Sequence, residues 1–66
     1  MLRLKVEGMT CNHCVMAVQR ALMKVPGVER AEVSLERAEA LVEGKADPEA
    51  LIRAVEEEGY RAALAG

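Results

Sequence analysis

The stretch Leu2-Arg3-Leu4-Lys5-Val6-Glu7-Gly8-Met9-Thr10-Cys11-Asn12-His13-Cys14-Val15-Met16-Ala17-Val18-Gln19-Arg20-Ala21-Leu22 decides the fold, because its apolar period changes once along its length. Leu2, Leu4 and Val6 alternate with Arg3, Lys5 and Glu7, the period-two signature of a half-buried strand. Gly8 breaks that pattern. From about Asn12 to Val25, the residues Val15, Val18, Leu22 and Val25 recur at three- and four-residue steps, which predicts an amphipathic helix. Pro26 and Gly27 stop it.

Outward from this unit the same grammar repeats. A second strand is expected with Ala31, Val33 and Leu35 on its inner face and Arg30, Glu32 and Ser34 on its outer face. Glu36 to Ala38 turn the chain without a Gly or Asn, so the turn type stays open. Ala40 and Val42 point inward from a third strand ending at Gly44. Asp47-Pro48 starts a second helix, since Asp accepts from free amides and Pro is tolerated at the first helical position. Leu51, Ile52, Ala54 and Val55 form its apolar stripe, and Gly59 is placed to close it in a left-handed turn. Tyr60 to Leu64 are long enough for one last strand. The order β-α-β-β-α-β predicts an α+β, ferredoxin-like sandwich: a four-stranded antiparallel sheet with two helices on one face. The other face then meets water, and Arg3, Lys5, Glu32, Glu39 and Glu43 suit it.

Size bounds what such a body can do. A chain of 66 residues is expected to be a single domain, residues 1–66. It buries only roughly 60% of the surface its unfolded form exposes. With no Phe, no Trp and one Tyr, the core must be aliphatic, and function belongs on a surface loop or face. Nine basic residues are scattered among eleven acidic ones for a net charge of −2, with no basic stripe, which argues against nucleic acid. The longest apolar run is far below the roughly 18 residues of a membrane span, and no leader-like stretch precedes the first strand. Two cysteines three residues apart do not make a disulfide framework, so a reducing cytoplasm is the expected location.

Those cysteines carry the chemistry. Gly8-Met9-Thr10-Cys11-Asn12-His13-Cys14 sits where the first strand hands over to the first helix. Two thiols at this spacing can meet on one metal ion or in one disulfide. A helix N-terminus favours negative charge, lowering thiol pKa values toward the thiolate that binds metal. Against this stands a purely structural reading, in which Cys14, close to the core stripe, is a small buried hydrophobe.

This segment, with the β-α-β-β-α-β order and Gly59-Tyr60 near the end, resembles the heavy-metal-associated domain family, more narrowly its stand-alone bacterial copper chaperones of the CopZ type. The resemblance covers essentially the whole chain. It implies that Cys11 and Cys14 ligate copper(I), and that Met9 supports the loop from beneath without ligating. It implies that Tyr60 lies on a neighbouring loop close to the site, and that His13 matches a residue common between the cysteines. It implies as partner the metal-binding domain of a copper-transporting P-type ATPase, with a copper-responsive repressor as a second recipient. A monomer without metal and a copper-linked dimer are the oligomeric states considered.

Thiolates select soft ions, and copper(I) is content with two of them. Zinc prefers four ligands, and the chain offers Cys11, Cys14 and at most His13, although zinc, cadmium or mercury could bind in vitro. His13 is either a solvated side chain at a helix start or a group that tunes thiolate basicity or supplies a ligand in a copper-linked dimer. Tyr60 either fills the core edge or shields the metal, and one residue can do both. Met16 and Met23 are expected on the exposed side of the helix as adaptable contact surface, a second sulfur site being the alternative. Glu56-Glu57-Glu58 reads as a solvated helix face.

Two rival classes remain. A thiol-disulfide oxidoreductase also uses two such cysteines, but the chain is short for one, offers no cis-proline candidate near the pair and has no Pro between them. A sensory domain cut from a larger protein, or a chaperone for another soft metal, is the second. The chain opens with Met1 directly at the first strand, as a stand-alone product would. No acid, base and nucleophile arrangement suggests an enzyme.

Overall fold

In the computed structural model, which describes residues 2–65, the elements follow in the order β1 (Leu2–Glu7), α1 (Asn12–Met23), β2 (Val28–Ser34), β3 (Glu39–Gly44), α2 (Pro48–Glu57) and β4 (Arg61–Leu64). The reading of the termini as those of a complete product falls on Met1 and Gly66, outside the described residues. The strands form one sheet in the order β2-β3-β1-β4, every neighbouring pair antiparallel. This is the ferredoxin-like arrangement expected from the period changes.

One face of the sheet is buried by both helices. Leu4 and Val6 of β1, Ala31 of β2 and Ala40 and Val42 of β3 join Val18 and Leu22 of α1 and Leu51 and Val55 of α2 in one apolar cluster. The largest of the fully buried side chains are Leu4, Val6, Val18, Leu22, Val42, Leu51 and Val55. Each contributes about 1.5–3 kcal/mol, which is how an all-aliphatic core holds so small a body together. On the opposite face Arg3, Lys5 and Glu32 are exposed, and Glu39 and Glu43 are half-buried. Leu41 shares that face opposite Arg3 and Glu32 and is likewise half-buried.

The element ends show what stops each period. The first helix ends at Met23 rather than at Val25. Val25 precedes Pro26, whose ring disfavours helical backbone in the residue before it. Val25 nonetheless stays buried, its N–H donating to Leu22 O at 3.1 Å. The second strand ends at Ser34, so Leu35 is a turn residue and not an inward strand position. Ala38 N–H donates to Leu35 O at 3.3 Å, Arg37 N–H donates to Ser34 Oγ at 3.3 Å, and Ala38 takes a left-handed φ of 54°. Alanine fills a place where Gly or Asn is usual, which is why composition left the turn unassigned. The second helix starts as expected: Glu49 N–H donates to Asp47 Oδ1 at 3.1 Å, with Pro48 in the first turn.

Strand directions gather three connections at one end. The β1–α1 loop leaves the end of β1. Val6 N–H donates to Ala38 O at 2.8 Å, which fixes the β2–β3 turn at that same end. Arg61 pairs with Glu7, so the start of β4 lies there as well.

Candidate metal centre

The end of β1 releases the chain at Gly8, whose φ of +102° few side chains tolerate. Met9 follows, half-buried and packed against the core cluster, and so anchors the loop from below. Thr10 is exposed. Cys11 then stands at the N-cap of α1 in extended backbone (φ −157°, ψ 175°), its carbonyl accepting from Cys14 N–H at 3.1 Å and Val15 N–H at 3.3 Å. No side chain caps this helix, and no acidic residue lies in its first turn. The positive end of the α1 dipole therefore faces the two cysteines without a carboxylate to neutralise it.

Cys11 Sγ and Cys14 Sγ lie 3.8 Å apart, with Cys11 exposed and Cys14 half-buried. That separation is far beyond a disulfide bond of about 2.05 Å. It is within reach of one ion, since two metal–sulfur bonds of about 2.3 Å span up to about 4.6 Å.

Four donors act on Cys14. The Thr10 backbone N–H is the strongest influence, then the Tyr60 hydroxyl, the Thr10 hydroxyl and last the Cys11 backbone N–H, and together they lower the Cys14 thiol from its usual 9.0 to about 6, with burial pushing the other way. The Thr10 hydroxyl lies 3.8 Å from Cys14 Sγ. Tyr60 is raised in turn, chiefly because its proton is held in the hydrogen bond to Cys14. In the metal-free protein Cys14 is thus a thiolate at neutral pH, the form that binds soft ions.

Tyr60 reaches this position through the end of α2. Gly59 N–H donates to Glu56 O at 3.0 Å and Tyr60 N–H to Val55 O at 3.4 Å, with Gly59 at φ +96°. These are the two bonds of a Schellman turn, and they aim Tyr60 back across the β1–α1 loop. A Cβ placed on Gly8 would lie 3.3 Å from Tyr60 Cδ1, so the ring passes close over the glycine. Tyr60 precedes β4 and is half-buried against the core, filling its edge on the side of Cys14, whose thiol it influences.

Thus Cys11, Cys14 and Tyr60 come together, with Met9 beneath them. His13 is exposed, and among the described residues no three His, Cys, Asp or Glu side chains cluster as a metal-binding group. Met16 and Met23 are exposed along α1, by 51% and 46%. Sequence pattern gives Thr10 no role of its own and Gly8 only that of a strand breaker. The available signals were a hydroxyl residue four positions before Cys14, and a glycine at a strand end facing the one aromatic residue.

A ferredoxin-like sandwich with an exposed dithiol at its first helix defines a small metal-binding domain. The heavy-metal-associated domain matches residues 3–61, and the chain belongs to that family. It is 47% identical to the copper chaperone CopZ of Staphylococcus epidermidis, over 86% of this chain and 88% of that protein. It is 44% identical to a copper-exporting P-type ATPase of Vibrio cholerae over 96% of this chain, and 48% identical to a mercuric reductase of Shigella flexneri over 94%. The chain spans only 7% and 11% of the lengths of those two proteins. Among solved structures it superposes on the PacS N-terminal domain from Synechocystis with a TM-score of 0.93 at 37% identity, covering 98% of this chain and 96% of that one. A CopZ metallochaperone superposes with a TM-score of 0.87 at 38% identity, covering 92% of this chain and 96% of that one. No helix among the described residues is long and apolar enough to cross a membrane.

Proposed function

We propose that this chain is a copper(I) chaperone, residues 1–66 serving as one domain, that holds one ion between Cys11 Sγ and Cys14 Sγ and hands it to a partner domain by thiolate exchange. The observation that carries this is the pair of free sulfurs 3.8 Å apart on an exposed loop, with no third His, Cys, Asp or Glu clustered beside them among the described residues. Two soft donors suit copper(I) and leave zinc, which prefers four ligands, underprovided. Tyr60 and Thr10 keep Cys14 deprotonated, so no proton competes with the ion there near neutral pH. Opening the pair by about 0.8 Å gives two nearly linear bonds of about 2.3 Å each, and rotation of the exposed Cys11 side chain supplies such a movement.

Exposure also supports transfer. A thiolate of an acceptor can approach the ion beside Cys11, join it as a third ligand, and displace one sulfur at a time, so the ion is never free. The proposed acceptor is the metal-binding domain of a copper-transporting P-type ATPase. The likeness to the Vibrio cholerae copper-exporting ATPase supports this, because acceptor and donor would then share one fold and one dithiol. A mercury carrier is the second reading, favoured by the likeness to the Shigella flexneri mercuric reductase.

The test is to mix copper-loaded chain with the isolated metal-binding domain of a copper-transporting ATPase, in the presence of a chelator that scavenges free copper. Transfer without copper appearing on the chelator supports the reading. Copper lost to the chelator, or tight uptake of mercury(II) with none of copper(I), rejects it.

A further inference from the structure

The open face of the sheet, away from the helices and the cysteines, is divided by charge along its strands. On β2 and β3 it shows Glu32, Glu39 and Glu43; on β1 and β4 it shows Arg3, Lys5 and Arg61. Each half holds one strand residue of the other sign. Arg30 is bonded to Glu32, with Nη2 2.7 Å from Oε1, and Glu7 lies opposite Arg61 in the ladder. The β2–β3 turn adds Glu36 and Arg37, which cancel. Lys5 also lies opposite Glu39 in the ladder, yet Arg30–Glu32 is the one ion pair among the described residues. Leu41 stands half-buried in the middle of the face, between a hollow lined by Glu32 and Glu43 and another lined by Glu32 and Glu39.

We propose that this face docks a second copy of the chain, in a weak two-fold dimer in which the acidic half of each copy covers the basic half of the other. A two-fold axis parallel to the strands, between β1 and β3, sets β1 of each copy over β3 of the other and β4 over β2. Positions along the strands are kept, so Lys5 of each copy meets Glu39 of the other. Arg3 meets Leu41, its stem on the leucine and its guanidinium at the hollow of Glu32 and Glu43. A closed two-fold contact satisfies this pattern with itself, whereas any other partner must supply both charges in the reverse order.

Size sets the strength. The chain's two longer dimensions, 28 and 20 Å, keep the face below the roughly 800 Å² that each partner gives to a stable complex. With one apolar side chain at its centre and charges around it, the contact depends on Coulomb attraction, which salt screens beyond about 10 Å at 0.1 M. The dimer therefore belongs to high concentration and low ionic strength. It leaves both β1–α1 loops uncovered, and an axis along the strands opens both dithiols at the same end. Nothing in it depends on the copper reading.

The experiment is sedimentation equilibrium of the full chain, reduced and metal-free with a chelator present, from about 0.02 to about 2 mM protein in about 10 mM and about 500 mM sodium chloride. The expected result is a monomer–dimer equilibrium in low salt whose Kd rises at least about tenfold in high salt, with amide NMR shifts on dilution confined to the open face of the sheet. Lys5→Glu and Glu39→Lys should each raise the Kd about tenfold or more. The double reversal restores opposite charges across the axis and should return the Kd to within about threefold of the native value. All three variants should keep the native circular dichroism and take up copper as the native chain does, so a failure of uptake bears on the metal reading alone. A monomer at every concentration, a dimer that forms only with copper, or association not regained in the double reversal overturns the proposal. So does association that survives both single reversals but is lost in Leu64→Lys, which moves the contact to the open β4 edge, where Leu64 is 50% exposed.

Discussion

The two helices begin in opposite ways. At α2, Asp47 accepts from Glu49 N–H, Pro48 fills the first turn and Glu49 places a negative charge against the positive end of the dipole. At α1, Cys11 occupies the same N-cap position with no cap bond and no acidic residue after it. One start is stabilised by its own side chains. The other is left electropositive and open, with the lowered Cys14 thiol beside it. The difference teaches that α1 gives up local stability of order 1 kcal/mol at its N-terminus, where the proposed soft-ion site lies.

The largest effect should come from the residue that ties the two helix ends together. Gly59→Ala forces a side chain into φ +96°, costing about 1–2 kcal/mol in urea unfolding. It should also loosen Tyr60 from Cys14, returning the Cys14 thiol toward 9.0, measured by alkylation rate against pH. Next, Asp47→Ala should cost about 1 kcal/mol through loss of the α2 cap, with copper affinity unchanged. Cys11→Ser should have the opposite sign: serine is a better N-cap, so the metal-free variant gains about 0.5 kcal/mol while losing the site. A loss of stability in Cys11→Ser would break the comparison, since α1 would then not be giving anything up.

The pH dependence sharpens it further. Cys14 titrates near 6 when folded and near 9.0 when unfolded, so the unfolded chain binds more protons between those values. Stability of the metal-free protein should therefore rise with pH from about 6 to about 9 and level off above. The rise should vanish in Cys14→Ser. The smallest effect lies farthest from the helices' contrast: Ala38→Gly should gain about 0.5 kcal/mol, by relieving the left-handed φ of 54°.

Much of this was legible in the chain. Alternation in Leu2-Leu4-Val6 and the four-residue step from Val18 to Leu22 fixed element types, because a single apolar core makes period and burial coincide, although Val15 on the same stripe stays half-buried outside that core. Asp47-Pro48 and Gly59 marked the ends of α2 because their chemistry is local. Leu35 misled, since its apolar character continued the strand pattern while Arg37 N–H bonded to Ser34 Oγ and Ala38 N–H bonded to Leu35 O had already closed the turn. The cysteine pair was visible by spacing alone. Its polarisation was not: the Thr10 amide and the Tyr60 hydroxyl reach Cys14 only once the Schellman turn and the Gly8 bend bring separate loops together.

The most direct test of the central claim is an anaerobic copper(I) titration of the reduced chain against a tight chromogenic chelator, beside Cys11→Ser and Cys14→Ser. The account predicts one copper per monomer won from the chelator by the native chain, and by neither variant. Failure of the native chain to compete, or full retention of copper in either variant, would contradict it.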